Sequence, residues 1–242
     1  MRLLLRSLVF FGLALQFSCS KSPEKQAREI LEKSMEAHGG EEDWSKMSSL
    51  KFRKLTRLLN EDGSIESVLD QSHEFRFKPY FEGKIQWTSD SLTHLLTWDG
   101  SQMHYYLGGN EVKNPGFLAS KKKDFDAAFY AVAQPWKLLD EGAKLSYEGQ
   151  KTIENGKSVE VIRVDYGPET DIWWYYFDPE TFEMVANEIQ LKDHRSLVYN
   201  LSFEEVEGFK LQGKRESWRV NEKGEKLFLR AEYLYSEYQI LF

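Results

Sequence analysis

Few residues of this sequence are chemically able to catalyse a reaction or bind a metal ion, and they are scattered. There are five histidines, His38, His73, His94, His104 and His194, and one cysteine. The sequence contains no H-E-x-x-H or C-x-x-C pair, no glycine-rich phosphate loop and no G-x-S-x-G around a serine. We therefore predict that the protein is not an enzyme and needs no cofactor. An enzyme would require polar groups such as His73, His94 or Asp165 to converge beside a pocket.

One pair of histidines is worth testing as metal ligands. His94 and His104 fall on one predicted hairpin, around a turn at Asp99 and Gly100. With a two-residue turn the two imidazoles point to opposite faces of the sheet, whereas a three-residue loop would set them opposite each other. Because the sequence suggests no third ligand nearby, we predict that there is no metal site.

The segment MEAHGGEEDW (35–44) combines a histidine, glycines and carboxylates, as a reactive or phosphate-binding site would. A phosphate-binding glycine loop, however, follows a strand and opens a helix. Here the two glycines come directly after residues 23–38, whose apolar spacing predicts a helix with Ser22 as its N-cap. The glycines therefore predict the end of that helix, and His38 lies in the last turn, where the helix dipole favours a cation.

The first residues have the layout of a lipoprotein signal peptide (1–18). Arg2 and Arg6 supply a basic start, and the apolar run LVFFGLAL (8–15) is too short to span a membrane. Cys19 follows directly and is the only cysteine in the sequence, so a disulfide within the chain is impossible.

Cys19 stands where bacterial lipoproteins carry their acylated cysteine. The segment LQFSC (15–19) resembles a lipobox, with Gln16 in place of the usual aliphatic residue. Acylation would anchor the protein to a membrane, because two acyl chains hold stably, and residues 19–25 would then form a tether. The alternative is ordinary cleavage after Ser20.

The remaining residues, 26–242, are predicted to form a single domain made mostly of short strands. Turn signals separate about ten to twelve strand-like segments, which is typical of an antiparallel sheet. One predicted helix, at 124–139, interrupts the strands, and Pro135 kinks or ends it. A predicted loop at 108–120 and three lysines (121–123), which we expect to be solvated, precede this helix. The net charge of −7 argues against nucleic acid as a partner.

The predicted strand IWWYYF (172–177) is apolar on both of its faces. In an antiparallel sheet with one solvated face, apolar and polar residues alternate. Here Trp174 and Tyr176 lie on one face and Trp173 and Tyr175 on the other, so both faces must be covered. Either these rings belong to an aromatic core, or they line an apolar cavity for a lipid or acyl chain. For the cavity we select six large side chains, namely Trp87, Trp98, Tyr105, Trp174, Tyr176 and Phe203.

Three features together resemble a known group of proteins. They are the opening AREILEKSMEAHGGEEDWSKMSSLKF (27–52), the antiparallel meander broken by one helical insertion, and the hairpin YYFDPETFEMV (175–185). This pattern resembles the LolA/LolB-like superfamily of Gram-negative envelope proteins, and within it Bacteroidota-type envelope lipoproteins. The resemblance implies an α+β fold. A strongly curved antiparallel sheet would form a half-open barrel, with the N-terminal helix and the helical insertion packed on it, and a hydrophobic space between them that accepts acyl chains.

We therefore expect a lipid-anchored envelope lipoprotein that binds a lipid, an acyl chain or another apolar ligand in a sheet–helix cavity. Its expected location is the outer membrane facing the periplasm, with the cell surface as the alternative. The competing hypothesis is a scaffold or assembly lipoprotein whose core is filled by its own side chains. The expected partners are the membrane and a lipid or acyl chain, while a protein partner is left open.

Overall fold

The described part of the chain contains three α-helices, a short 3-10 helix and fifteen strands. The structure, a computed structural model, describes residues 21–154, 156–167 and 171–242. The predicted signal peptide (1–18) and Cys19 lie outside the described residues. The helices are α1 (Pro23–Ala37), α2 (Glu41–Lys46) and α3 (Pro115–Val132), and the 3-10 helix spans Trp136–Leu139. The strands are β1 (Ser49–Leu59), β2 (Ile65–Arg76), β3 (Glu82–Ser89), β4 (Leu92–Trp98), β5 (Met103–Leu107), β6 (Asn110–Glu111), β7 (Lys144–Thr152), β8 (Ser158–Asp165), β9 (Ile172–Phe177), β10 (Met184–Gln190), β11 (Arg195–Asn200), β12 (Phe203–Val206), β13 (Phe209–Gln212), β14 (Lys214–Val220) and β15 (Lys226–Leu241).

Thirteen of these strands form one antiparallel sheet in the order β6-β5-β4-β3-β2-β1-β15-β14-β11-β10-β9-β8-β7. Strand β15 pairs with both β1 and β14, and so joins the two halves of the chain at the centre of the sheet. Strands β6 and β7 lie at opposite edges and do not pair with each other in the described residues, so the sheet is open. Its curvature confirms the predicted half-open barrel.

Helix α1 forms and ends as its sequence predicts. The Ser22 hydroxyl accepts a hydrogen bond from the Lys25 amide at 3.3 Å, and Pro23 occupies the first turn. The backbone at Gly39 and Gly40 has positive φ angles of 124° and 85°, and the Gly40 amide donates to the Met35 carbonyl at 2.8 Å. The segment at 35–44 therefore ends a helix.

The acidic residues after the two glycines begin a second helix, α2. The sequence interpretation treated them only as the end of α1. Gly40 is the N-cap of α2, and Glu41, Glu42 and Asp43 fill its first turn, where the helix dipole favours negative charge. Residues 23–25, which the sequence placed both in the tether and in the predicted helix, belong to α1.

The helical insertion begins nine residues earlier than predicted. Helix α3 starts at Pro115, whereas we predicted a loop over 108–120 and a helix from 124. The missed signal is Asn114, whose side chain accepts a hydrogen bond from the Phe117 amide at 2.9 Å, followed by proline at the first helical position. The three lysines at 121–123 therefore lie within a helix. The helix ends at Val132, before the proline predicted to stop it.

Two of the strand-like segments in the sequence, 196–204 and 209–219, are each divided by a bend. The first contains β11 and β12 and the second β13 and β14, and β12 and β13 form a small hairpin outside the main sheet. Gly213 lies at the bend between β13 and β14. A Cβ atom at Gly213 would lie 2.6 Å from the Ser202 hydroxyl oxygen, so the two chain segments can approach this closely only at a glycine.

Helices α1 and α3 cover one face of the main sheet, which we call the inner face. Ala27 and Leu31 of α1 are buried in one apolar cluster, and Phe125 and Val132 of α3 in another. Helix α3 approaches strand β3 closely at Gly83, where an added Cβ atom would lie 2.7 Å from Phe125 Cζ. The opposite face of the sheet is called the outer face.

Among the described residues, no helix combines the length and the apolar character that crossing a membrane requires.

Candidate functional site

A cavity of about 1180 Å³ lies between helix α3 and the inner face of the sheet. Its floor consists of side chains from the central strands β1, β15, β14, β11 and β10. Ala127, Tyr130 and Ala131 of α3 and Gln134 just after it face the cavity from the helix side. The cavity therefore lies at the place where the LolA-like resemblance implies a space between sheet and helices.

Aromatic and aliphatic side chains form a large part of the cavity wall. They include Leu58, Phe81, Trp98, Phe129, Trp173 and Ile189. An apolar chain bound along this wall would be removed from water and would contact carbon atoms over much of its length.

Four cationic side chains also line the cavity, on the central strands. They are Lys54, Arg215, Arg219 and Arg230. Arg230 forms an ion pair with Glu66 and donates to the Leu59 carbonyl at 2.7 Å. For Lys54, Arg215 and Arg219, no carboxylate of the described residues lies within ion-pair distance. The cavity floor therefore carries excess positive charge.

A cluster of tyrosines fixes the C-terminal half of α3 over the sheet. The Tyr130 hydroxyl lies 2.8 Å from the hydroxyls of both Tyr166 and Tyr175, and Gln134 Nε2 donates to the Tyr175 hydroxyl at 3.2 Å. Burial raises the pKa of Tyr130 and of Tyr175, so both phenols stay neutral and act as hydrogen-bonding groups. These contacts join α3 to strand β9 beside the cavity.

Comparisons with known proteins find similarity in structure alone. No family model matches the chain, and no curated protein matches its sequence. A DUF1329 family protein from Desulfovibrio piger superposes with a TM-score of 0.57 at 9% identity, covering 90% of this chain and 93% of that one. A LolA superfamily protein from Nitrosomonas europaea gives 0.56 at 9% identity, covering 88% and 92%. An outer membrane lipoprotein-sorting protein domain from Vibrio parahaemolyticus gives 0.55 at 10% identity, covering 90% and 93%.

The chain has a LolA-like fold. At this level of identity the likeness concerns the path of the chain and carries no residue roles. It confirms the predicted fold, while the Bacteroidota-type origin stays a prediction.

The structure places Trp98 in the lining of the cavity, and it places the other five selected residues elsewhere. Trp98 lies beneath the Lys122 ammonium group, which is 4.5 Å from its ring centroid. Trp87 and Tyr105 also lie on the inner face, but Trp87 stacks on His94 at 4.8 Å and Tyr105 packs against Phe117 at 4.9 Å beneath α3.

Trp174 and Tyr176 lie on the outer face, away from the cavity, because the face of β9 with Trp173 and Tyr175 turns toward the helices. Phe203 lies on β12, where its ring is 4.9 Å from that of His38. The cavity lining from β9 is therefore Trp173 rather than Trp174 or Tyr176.

Charged side chains cover the outer face of β9. The Arg195 guanidinium lies 4.8 Å from the Trp174 ring, and the Lys151 ammonium lies 5.1 Å from the Tyr176 ring. Glu188 is fully buried beneath them, where it accepts a hydrogen bond from Tyr176 and pairs with Arg195. Cation–π contacts and a buried ion pair thus cover the second apolar face, and neither a second sheet nor a ligand is needed there.

His38 has a structural role and is neutral, although its position at the end of α1 favours a cation. The side chain is 1% exposed, with Nδ1–H donating to the Lys210 carbonyl at 2.8 Å and Nε2 accepting from the Met184 amide at 3.1 Å. Burial is the main cause that lowers the pKa of His38, so the imidazole is neutral. It joins the end of α1 to strands β10 and β13, instead of carrying charge at a helix end.

The other groups considered for chemistry do not converge. A four-residue loop, longer than either alternative considered, joins β4 to β5, and it leaves His94 and His104 on opposite faces of the sheet. His73 is buried with its ring stacked on Phe52, and Asp165 pairs with Arg163 at 3.0 Å, both outside the cavity lining. Within the described residues, no group of three His, Cys, Asp or Glu side chains is placed to hold a metal ion.

Sequence reasoning missed the cationic floor. Lys54, Arg215 and Arg219 were absent from the selected residues because charged residues on strands normally face solvent. Arg215 stands between Lys214 and Glu216 on β14, so the residue types alone do not show which face of this strand turns inward. The direction becomes certain only once β14 is paired with β11 and β15.

Proposed function

We propose that the protein is a lipid-anchored envelope lipoprotein that binds a lipid, acyl chain or other apolar ligand in the cavity under α3. The observation that supports this is a cavity of about 1180 Å³ with a large apolar wall, in a LolA-like fold. Binding sites for small molecules commonly measure roughly 300–1,000 Å³, so this cavity has room for a long chain.

The proposal includes the N-terminal anchor. Residues 1–18 would be removed as a signal peptide, Cys19 would carry the acyl groups, and the segment up to α1 would connect it to the domain formed by residues 26–242. This arrangement would hold the cavity near a membrane surface, at the outer membrane facing the periplasm. A carrier or receptor of lipids would gain from such a position, because its ligand partitions into the membrane.

The placement of the polar groups favours binding over catalysis. His73, His94 and Asp165 lie outside the cavity lining, and Tyr130, the tyrosine that reaches it from α3, is held neutral by burial. The scaffold hypothesis requires an interior filled by side chains, and a cavity of this size counts against it.

Native mass spectrometry of the protein purified from its own membranes tests the proposal. We expect the intact mass to show acylation, together with a non-covalent adduct of lipid mass. Ala131→Trp, which places an indole in the cavity lining, should abolish the adduct. Ala119→Trp lies on the exposed side of the same helix, outside the lining, and should retain it. A natural protein without an adduct that also takes up no added lipid would instead favour the scaffold hypothesis.

A further inference from the structure

We propose that the apolar ligand carries an anionic head group, a carboxylate or a phosphate, which binds against Lys54, Arg215 and Arg219 on the cavity floor. This inference rests on the proposed function and names the chemical class of the ligand. The juxtaposition that supports it is an apolar wall beside three cations that lack carboxylate partners among the described residues.

Arg215 is the centre of this head-group site. Its side chain belongs to a residue that is only 5% exposed, yet it lines the cavity. Nη2 donates to Asn187 Oδ1 at 2.7 Å, and Nε has no hydrogen-bond partner. A buried guanidinium without a counter-ion is costly to fold, because its hydration is lost and a neutral amide replaces only part of it. An anion in the cavity would remove this cost.

Strand pairing brings the other two cations to the same floor. Lys54 on β1 pairs with Tyr235 on β15, and the next inward residue of β15, Tyr233, pairs with Arg215 on β14. The Lys54 ammonium lies 5.0 Å from the Tyr233 ring and 5.4 Å from the Tyr235 ring, so it remains close to the floor. Arg219, four residues beyond Arg215 on β14, donates to the Ser196 hydroxyl.

The electrostatics of neighbouring groups agree with a site that lacks negative charge. Burial acts to raise the pKa of Tyr235, yet the positive charges of Lys54 and Arg215 hold it below its ordinary value. Burial, and then the charge of Arg230, lowers the pKa of Arg219, while Asp193 opposes them. Both shifts mean that the floor favours the arrival of negative charge.

Three carboxylates line the cavity; two of them pair with lysines, and the third, Glu141, is exposed to solvent. Asp126 pairs with Lys122, and Asp140 pairs with Lys137, both along the helical side of the cavity. By contrast, arginines on the outer face have carboxylate partners, as Arg53 has in Asp70. Three of the four cations on the cavity floor therefore lack a counter-ion among the described residues. Guanidinium groups suit carboxylates and phosphates because they donate two parallel hydrogen bonds.

The test compares probes that share one chain and differ in head group. Full-length protein in dodecyl maltoside is titrated with hexadecyl phosphate, palmitate, hexadecanol and inorganic phosphate, and binding is measured by native mass spectrometry. We expect both anionic amphiphiles to bind at least about tenfold more tightly than hexadecanol, as one charge-assisted pair would give. Inorganic phosphate, which has no chain to bury, should bind far more weakly.

Variants then locate the head-group site. Arg215→Met keeps the length of the side chain and removes its charge, so it should abolish most of the anionic preference and leave hexadecanol binding within about twofold. Lys54→Met serves the same purpose if the first variant does not fold. Arg53→Met, on the same strand β1 but on the outer face, should change none of the affinities.

The outcomes separate the two proposals. Equal binding of hexadecanol and the anionic probes, or an anionic preference that survives in both Arg215→Met and Lys54→Met, would overturn the head-group site and leave apolar binding standing. Binding of no amphiphile would overturn both proposals. Tight binding of inorganic phosphate without any gain from the chain would likewise contradict an amphiphilic ligand.

Discussion

Replacing His73 by leucine is expected to make folding less sensitive to acid. The His73 residue is 1% exposed, its ring stacks on Phe52 at 4.7 Å, and neither ring nitrogen has a hydrogen-bond partner. Burial, and then the positive charge of Lys54, lowers the pKa of His73 to about 3. Between about pH 3 and about pH 6.5, the folded protein therefore holds a neutral imidazole at His73, whereas the unfolded chain holds a protonated one.

The size of the effect follows from the two pKa values, about 6.5 in the unfolded chain and about 3 in the folded protein. As the pH falls below 6.5, the unfolded chain binds a proton that the folded protein does not. The free energy of unfolding then decreases by up to about 1.4 kcal/mol per pH unit, until the folded imidazole is protonated near pH 3. Between about pH 7.5 and about pH 5, His73 should account for a loss of about 2 kcal/mol.

Urea unfolding at these two pH values, followed by tryptophan fluorescence, measures this loss. The His73→Leu variant should retain about 2 kcal/mol that the natural protein loses, whatever its stability at neutral pH. His38, whose pKa burial also lowers, is present in both proteins and cancels in the comparison. The reasoning is refuted if both proteins lose the same free energy of unfolding between the two pH values.

An exposed histidine provides the control for this experiment. Glu111, and then Asp99, raises the pKa of His104 above its ordinary value, so this residue stabilises the fold at low pH, and that contribution is lost as the pH rises through its folded pKa. His104→Gln should therefore give no protection against acid, and any change should have the opposite sign to that of His73→Leu.

Two further substitutions test how the sheet is covered. Gly83→Ala should destabilise the protein by about 1–3 kcal/mol in urea unfolding, because the new methyl group would displace helix α3 from strand β3. The control is Gly116→Ala in helix α3, where only one side-chain atom lies near the Cβ position, so this change should be neutral or slightly stabilising. Equal effects of the two substitutions would contradict the close packing at Gly83. Glu188→Ala should cost about 3–5 kcal/mol by the same measurement, since it leaves Arg195 without its buried partner. Removing the exposed carboxylate of Glu42 should cost less than about 1 kcal/mol, and a similarly small cost for Glu188→Ala would show that the outer-face pair contributes little.

Local signals in the sequence predicted much of the architecture. The helix at 23–37 follows from its cap, its apolar spacing and the two glycines after it, all of which act within a few residues. The turn after β9 is equally local: Asp178 Oδ1 accepts hydrogen bonds from the amides of Glu180 and Thr181 at 2.8 and 2.9 Å. The predicted start of helix α3 is too late, because its N-cap, Asn114, falls in the segment predicted to be a loop.

The candidate site could be predicted only in part. Trp98 was selected for its size and lies in the cavity lining, but size gives no information about the face on which a side chain lies. On β9 the alternation of side chains correctly divided the strand into two sets of apolar residues. Which set would face the cavity depended on where α3 packs, and α3 is distant in the sequence.

The sequence by itself determined that the protein has a signal-like start, one cysteine, a capped N-terminal helix and a long series of antiparallel strands. These features depend on residue type and on spacing over a few positions, which is the range of backbone hydrogen bonds and turn preferences. The tertiary structure alone decided that Lys54, Arg215 and Arg219 share one cavity floor. These residues come from strands more than a hundred positions apart, and only the pairing of β15 with both β1 and β14 brings their side chains together.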